Sequence, residues 1–185
     1  AIGYPDNTDP MSQWWPADLH LVGKEIMRFH TIIWPIILMA LELPLPKTVF
    51  GHGWILFDSD KMSKSKGNVV DPIVLADKYG VDPIRYFLMR EISFGQDGNF
   101  SEAALVERTN ADLANDLGNL LNRTLSMLQR YFDGVVPEPG ENQPVDQELI
   151  DFAADFGKQV DGLLRDLKLN EALVKIWQLI GRGNK

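Results

Sequence analysis

Asp18-Leu19-His20-Leu21-Val22-Gly23-Lys24-Glu25 changes character at its glycine. The first five residues alternate polar and apolar side chains, the period-two signature of a half-buried strand. Gly23 breaks the alternation, and residues 24–43 then read as a helix kinked at Pro35, where a ring replaces an amide donor. A turn follows at 44–46, and strands are predicted around 48–50 and 54–57. Strand, helix and strand in that rhythm build a parallel sheet, whose ligands bind beyond the carboxyl ends of the strands. Gly23, Lys24 and Glu25 fall at that edge.

The run Gly53-Trp54-Ile55-Leu56-Phe57 and the turn Asp58-Ser59-Asp60 lead into Lys61-Met62-Ser63-Lys64-Ser65-Lys66-Gly67-Asn68. Three lysines within six residues, separated by small hydroxyls, offer mobile ammonium groups to a polyanion. Lysine meets phosphate as a point charge, without the planar fork of arginine. The bland alternative is a solvated, charged hairpin tip.

Further along, Asp71-Pro72 and Asp82-Pro83 announce two short helices with proline at a first helical position, and Gly80 ends the first. A loop over 93–99 marks a boundary. Beyond it the chain reads as purely helical, with Ser101 as N-cap and residues 102–132 broken only by Gly118. At 1.5 Å per residue that helix is about 45 Å long. Leu113, Leu117, Leu120, Leu121, Leu128 and Phe132 form one apolar stripe along it. A Gly/Pro-rich linker over 133–144 leads to helices over 146–167 and 169–180. Their inward residues are predicted to be Phe152, Phe156, Val160, Leu163 and Leu164, then Leu173, Ile176, Trp177 and Ile180. Short connections favour an antiparallel helix bundle.

The formal charge is −8; residues 1–100 carry nine Lys/Arg against twelve Asp/Glu, and 101–185 carry nine against fourteen. Neither half has the bulk positive charge of a nonspecific nucleic-acid binder, so DNA is not an expected partner and any RNA contact must use local basic patches. Cysteine is absent, which leaves no disulfide and no thiolate zinc site in this segment and fits a reducing cytoplasm. The first five residues lack the features of a signal peptide, and the longest apolar run, 32–41, is too short to span a bilayer, so no membrane partner is expected. No Gly-x4-Gly-Lys-Ser/Thr phosphate loop occurs. Both ends of the chain read as cut.

Residues 61–65 match the KMSKS signature of class I aminoacyl-tRNA synthetases letter for letter. His20-Leu21-Val22-Gly23-Lys24-Glu25-Ile26, continuing to Phe29-His30 and Trp34-Pro35, resembles the methionyl branch of that family. Phe50-Gly51-His52-Gly53-Trp54, Val69-Val70-Asp71-Pro72 and the long-helix segments around Asn110 and Asp116 are similar to the same branch, so the resemblance covers nearly the whole chain. It implies a fold that is α/β plus all-α. Residues 1–60 would be the second half of a Rossmann-like parallel sheet, 61–100 the lysine loop and stem-contact region, and 101–185 a truncated helical anticodon-binding domain.

The resemblance further implies ATP-dependent activation of methionine and its transfer to methionine tRNA, with ATP used as its Mg2+ complex. Lys64 matches the family's catalytic lysine, and Lys61 is the second contact. Lys61, Met62, Ser63, Lys64 and Ser65 would close over the triphosphate. Gly23 and Glu25 match positions that hold the ribose, against the plainer reading of Glu25 as a carboxylate at a helix N-terminus. His52 and Gly53 resemble the segment beside adenine. His20 matches a histidine of the methionine pocket, where the plainer reading is a satisfied core histidine. Asn119 and Arg123, one helical turn apart and opposite the leucine stripe, match the residues that read the CAU anticodon. The plainer reading there is an exposed polar face.

A His-Ile-Gly-His-type element, which this chemistry also needs, does not occur in these 185 residues. The segment alone is therefore expected to be inactive. Two alternatives stand beside this reading: a tRNA-binding or interaction module without catalysis, and a class I synthetase of neighbouring specificity.

Overall fold

The computed structural model describes residues 14–57, 60–61 and 70–185, the pair 60–61 in its backbone only. The described residues form two compact units. One runs up to Trp54 and includes Gly95–Asp97; the other comprises Ile55–Phe94 and Gly98–Lys185.

In the first unit β1 (Leu19–Gly23) lies parallel to β2 (Thr48–His52), in a register that pairs His20 with Val49 and Gly23 with His52. The crossover between them is helical, as the strand–helix–strand rhythm predicts, but it is not one kinked helix. A 3-10 turn (Lys24–Ile26) and a π-helical stretch (Phe29–Ile33) precede α1 (Trp34–Ala40). The Trp34 amide reaches back five residues to the Phe29 carbonyl, so Pro35, which has no amide hydrogen, enters just after a widened turn. α1 also stops short of residue 43. Glu42 takes a positive φ of 54°, and Leu43 precedes a proline, which disfavours helical backbone. Leu38 is the one residue of α1 that is buried.

The second unit holds a separate three-stranded sheet. β3 (Ile55–Phe57) pairs antiparallel with β4 (Asp60–Lys61) and parallel with β5 (Gly98–Phe100). The strand expected at 54–57 thus belongs to a second sheet, and part of the expected loop at 93–99 is a strand. Gly98 is needed there, because a Cβ would lie 2.4 Å from Ile92.

Two of the expected caps are in place, and the Asp82-Pro83 start is not. Asp71 accepts a hydrogen bond from the Ile73 amide at the head of α2 (Pro72–Tyr79), and Ser101 accepts from Ala104 at the head of α4 (Glu102–Arg108). Gly80, at φ 86°, both ends α2 and precedes α3 (Val81–Glu91), which puts Pro83 third in its helix rather than first. Leu75, Ile84, Phe87, Phe100 and Leu105 form the core of this unit, with the Phe87 and Phe100 rings edge to face at 5.6 Å.

The long helix is continuous but changes pitch. α4 passes into ten π-helical residues (Thr109–Gly118) and then α5 (Asn119–Phe132). Its leucine stripe is only partly covered: Leu117, Leu121 and Phe132 are exposed, and the one buried residue of the π stretch is Asp112. The helix expected over 146–167 divides at Asp155 into α6 (Pro144–Ala154) and α7 (Phe156–Arg165), and α8 (Leu169–Gly183) follows. Of the residues expected inward, Leu164 is exposed and the others are half-buried. α8 packs on α3, α6, α7 and the π stretch, and its Ala172 is almost fully buried.

Candidate functional site

Gly23 and His52 are register partners at the carboxyl ends of two parallel strands, so the residues that follow each of them share one edge. Glu25 curls back over Gly23: a Cβ on that glycine would lie 2.5 Å from Glu25 Oε2. His52 donates from Nδ1 to the Gly53 carbonyl at 2.9 Å. Gly53 has no room for a side chain, because a Cβ would meet the Gln96 carbonyl oxygen at 2.1 Å. The chain returns here as Gly95–Asp97, and Asp97 accepts from Lys24 Nζ at 2.5 and 2.7 Å and from the Trp54 amide at 2.8 Å. The Lys24 ammonium and that amide hold the Asp97 carboxyl below its ordinary value. Protonation would break the contact, so it is present at neutral pH and is lost only as the pH falls through that lowered value.

His20 lies in an aromatic group on the same strand. Its ring centroid is 5.9 Å from Trp15, 6.2 Å from His30 and 6.4 Å from Trp34. The Trp34 indole donates to His20 Nε2 at 3.1 Å, which leaves the ring proton on Nδ1. His30 donates from Nδ1 to the Ile26 carbonyl at 3.0 Å. The four half-buried rings make a soft, polarizable wall suited to an apolar or thioether side chain. From sequence, His30 and Trp34 carry only the family resemblance, and Trp15 carries no assignment. They sit up to fourteen residues from His20, and only the fold gathers them.

Met62, Ser63, Lys64 and Ser65 lie outside the described residues. Lys61 is described in its backbone alone, where it pairs with Leu56. Among the described residues no group of three or more His, Asp or Glu is placed to hold a metal ion.

In the helical unit Asn119 and Arg123 are both exposed, in the first two turns of α5. Just before them is a buried charge cluster that sequence reasoning missed. Asp112 accepts from Tyr86 Oη at 2.5 Å and lies 3.5 Å from Arg90 Nε and 3.6 Å from Arg108 Nη1. Burial and the Asp112 carboxylate raise the Tyr86 phenol well above its ordinary value, so it stays a donor. The Trp177 ring lies 4.7 Å from that of Tyr86, tilted at 40°, and its indole donates to the Asp112 carbonyl at 3.3 Å, which makes it part of this packing, on the apolar face the sequence assigns it.

A family model described as tRNA synthetases class I (M) matches residues 4–125. The chain is 58% identical, over its whole length, to a methionine–tRNA ligase of Caldanaerobacter subterraneus and 56% identical to one of Clostridium tetani. It spans 29% of the length of either relative. Its fold is similar to that of Mycobacterium tuberculosis methionyl-tRNA synthetase solved in complex with methionyl-adenylate, with a TM-score of 0.95 and 46% identity, covering 99% of this chain and 36% of that one. The apo form of the same synthetase gives a TM-score of 0.90. Among the described residues no helix is long and apolar enough to cross a membrane.

Proposed function

This chain belongs to the class I (M) tRNA synthetases, and from that premise we propose that it is part of a methionine–tRNA ligase, which activates methionine with ATP and transfers it to methionine tRNA in cytoplasmic protein synthesis. The observation that carries the reading is the pairing of Gly23 with His52 at the ends of parallel strands, where open α/β sheets take their ligands. Functionally, residues 1–60 are then the second half of a Rossmann-like catalytic sheet. Residues 61–100 are the loop and stem-contact region, and 101–185 are an anticodon-binding helical domain.

In the first step a methionine carboxylate oxygen bonds to the α-phosphorus of ATP while the bond to the pyrophosphate oxygen breaks. Charge builds on the departing pyrophosphate, and fixed cations at that place lower the barrier. Lys64 is assigned to that charge and Lys61 to a second phosphate contact, with Met62, Ser63 and Ser65 completing the loop. Gly23 permits close approach of the nucleotide, Glu25 accepts from the ribose hydroxyls, and His52 and Gly53 flank the adenine. Magnesium is held mainly through substrate phosphates and water, so it would arrive with the nucleotide. In the second step a hydroxyl at the tRNA 3′ end takes the methionyl group and AMP leaves.

A full-length protein carrying this chain should catalyse ATP–pyrophosphate exchange that depends on methionine. Exchange driven by another amino acid, or by none, overturns the reading.

His20 and its aromatic neighbours are assigned to the methionine side chain. Trp34→Phe keeps a ring but removes the donor that orients His20. It should raise the KM for methionine about three- to tenfold, the worth of one hydrogen bond, and leave the KM for ATP unchanged. An equal change in both constants would reduce Trp34 to a packing residue.

Asn119 and Arg123 are assigned to the anticodon, where an amide and a guanidinium can hydrogen-bond or stack on splayed bases. Arg123→Ala should lower charging of methionine tRNA by one to two orders of magnitude, the cost of about 1–3 kcal/mol for a lost base contact. Pyrophosphate exchange without tRNA should be untouched. Parallel loss in both assays assigns Arg123 to structure instead.

A further inference from the structure

Asp97 makes a set of contacts that the assignments above leave unused. Its carboxylate takes Lys24 Nζ on both oxygens, at 2.5 and 2.7 Å, and the Trp54 amide at 2.8 Å. The Lys24 ammonium also lies 5.9 Å from the centre of the Trp54 ring. Lys24 and Asp97 are 73 residues apart in the chain, so this is a tertiary fastening and not a local turn. Gly53 makes room for it, since any Cβ there would collide with the Gln96 main chain.

The side chains of the pair are 43% and 39% exposed, and exposed ion pairs contribute little to stability. What three converging hydrogen bonds supply is geometry. Lys24 opens the 3-10 turn Lys24–Ile26, and the next residue is Glu25, whose carboxylate is folded over Gly23. A Lys24 held by Asp97 is also unavailable as a free cation for phosphate. Its use is to fix the turn that carries its neighbour.

We propose that Asp97 is a positioning residue for nucleotide recognition: by anchoring Lys24 it holds the Lys24–Ile26 turn so that Glu25 faces the ribose hydroxyls of ATP. This inference rests on the assignment of Glu25 to the ribose. Asp97 touches no reacting atom; it acts through Lys24 on Glu25.

The test is pyrophosphate exchange by the full-length protein with ATP, 2′-deoxy-ATP and 3′-deoxy-ATP, read as the ratio of kcat/KM for ATP to that for each analogue. The ratio is internal, so a smaller folded fraction lowers both terms alike. Glu25→Gln should shrink the preference for ATP about tenfold, the worth of a hydrogen bond to a charged group. Asp97→Asn should shrink it in the same direction, and Lys24→Met, which cuts the fastening from its other side, should reproduce the result. The Glu25→Gln, Asp97→Asn double variant should show no further loss of preference, and the KM for methionine should not move in Asp97→Asn. If Glu25→Gln leaves the preference intact, the ribose assignment fails and this inference fails with it. If Glu25→Gln shrinks the preference while Asp97→Asn and Lys24→Met slow ATP and its analogues equally, the ribose assignment survives and the positioning role of Asp97 is overturned.

Discussion

Replacing Lys64 by alanine in the full-length protein is expected to slow adenylate formation by two to three orders of magnitude while changing the KM for ATP only a few-fold. A preorganised charge aimed at the developing transition state is typically worth about 3–4 kcal/mol in the barrier. The same charge is expected to add little to ground-state binding, because an ammonium and phosphates are both well solvated in the ground state. Single-turnover formation of methionyl-adenylate, followed directly, separates the two effects. A rate within a factor of three of wild type removes Lys64 from the chemistry. A large rise in KM with an unchanged rate would recast it as a simple phosphate anchor.

The second large effect is expected at Asp112, in the helical unit. Its carboxylate is 8% exposed and sits among Tyr86, Arg90 and Arg108. Asp112→Ala leaves two partly buried guanidinium groups and a half-buried phenol facing a void. Breaking a buried charge cluster by removing one partner typically costs 3–5 kcal/mol. Both arginines keep 20–30% of their side-chain exposure, and Arg108 retains Glu91 at 2.7 Å, so about 3 kcal/mol is the expected loss. For a chain of this size that lowers the melting midpoint by roughly 6–12 °C. Asp112→Asn keeps an acceptor for Tyr86 and should cost about half as much. A midpoint within 1 °C of wild type in Asp112→Ala would show the cluster to be energetically idle. Methionine-dependent pyrophosphate exchange, measured well below the midpoint, should be largely retained.

Much of the candidate site was legible because it is local. The alternation that ends at Gly23 needs only its own five residues, and it sets where the strand stops and where Lys24 and Glu25 follow. Ser101 and Asp71 cap their helices through amides two or three residues away, so their role follows from type and spacing. The long apolar helix could also be read, although its residue types do not announce the π-helical pitch over Thr109–Gly118. β5 was hidden for a different reason. Gly98-Asn99-Phe100 has the composition of a turn and becomes a strand only because β3 offers it a parallel edge.

Asp97 and Asp112 show what sequence could not reveal. Each is one carboxylate among 26 acidic residues, and no local pattern marks either as paired. One is fastened to a lysine 73 positions away, and the other is enclosed by side chains from two helices. The sequence by itself determined the family resemblance, the strand that ends at Gly23, the caps at Asp71 and Ser101 and the lysine-rich motif, all of which depend on near neighbours and on residue type. Only the tertiary structure decided which carboxylates are held, which histidine is oriented by an indole, and which tryptophan packs on a tyrosine. The physical reason is that solvation and pairing of a polar group depend on what is brought within a few ångströms of it, and those partners come from distant parts of the chain.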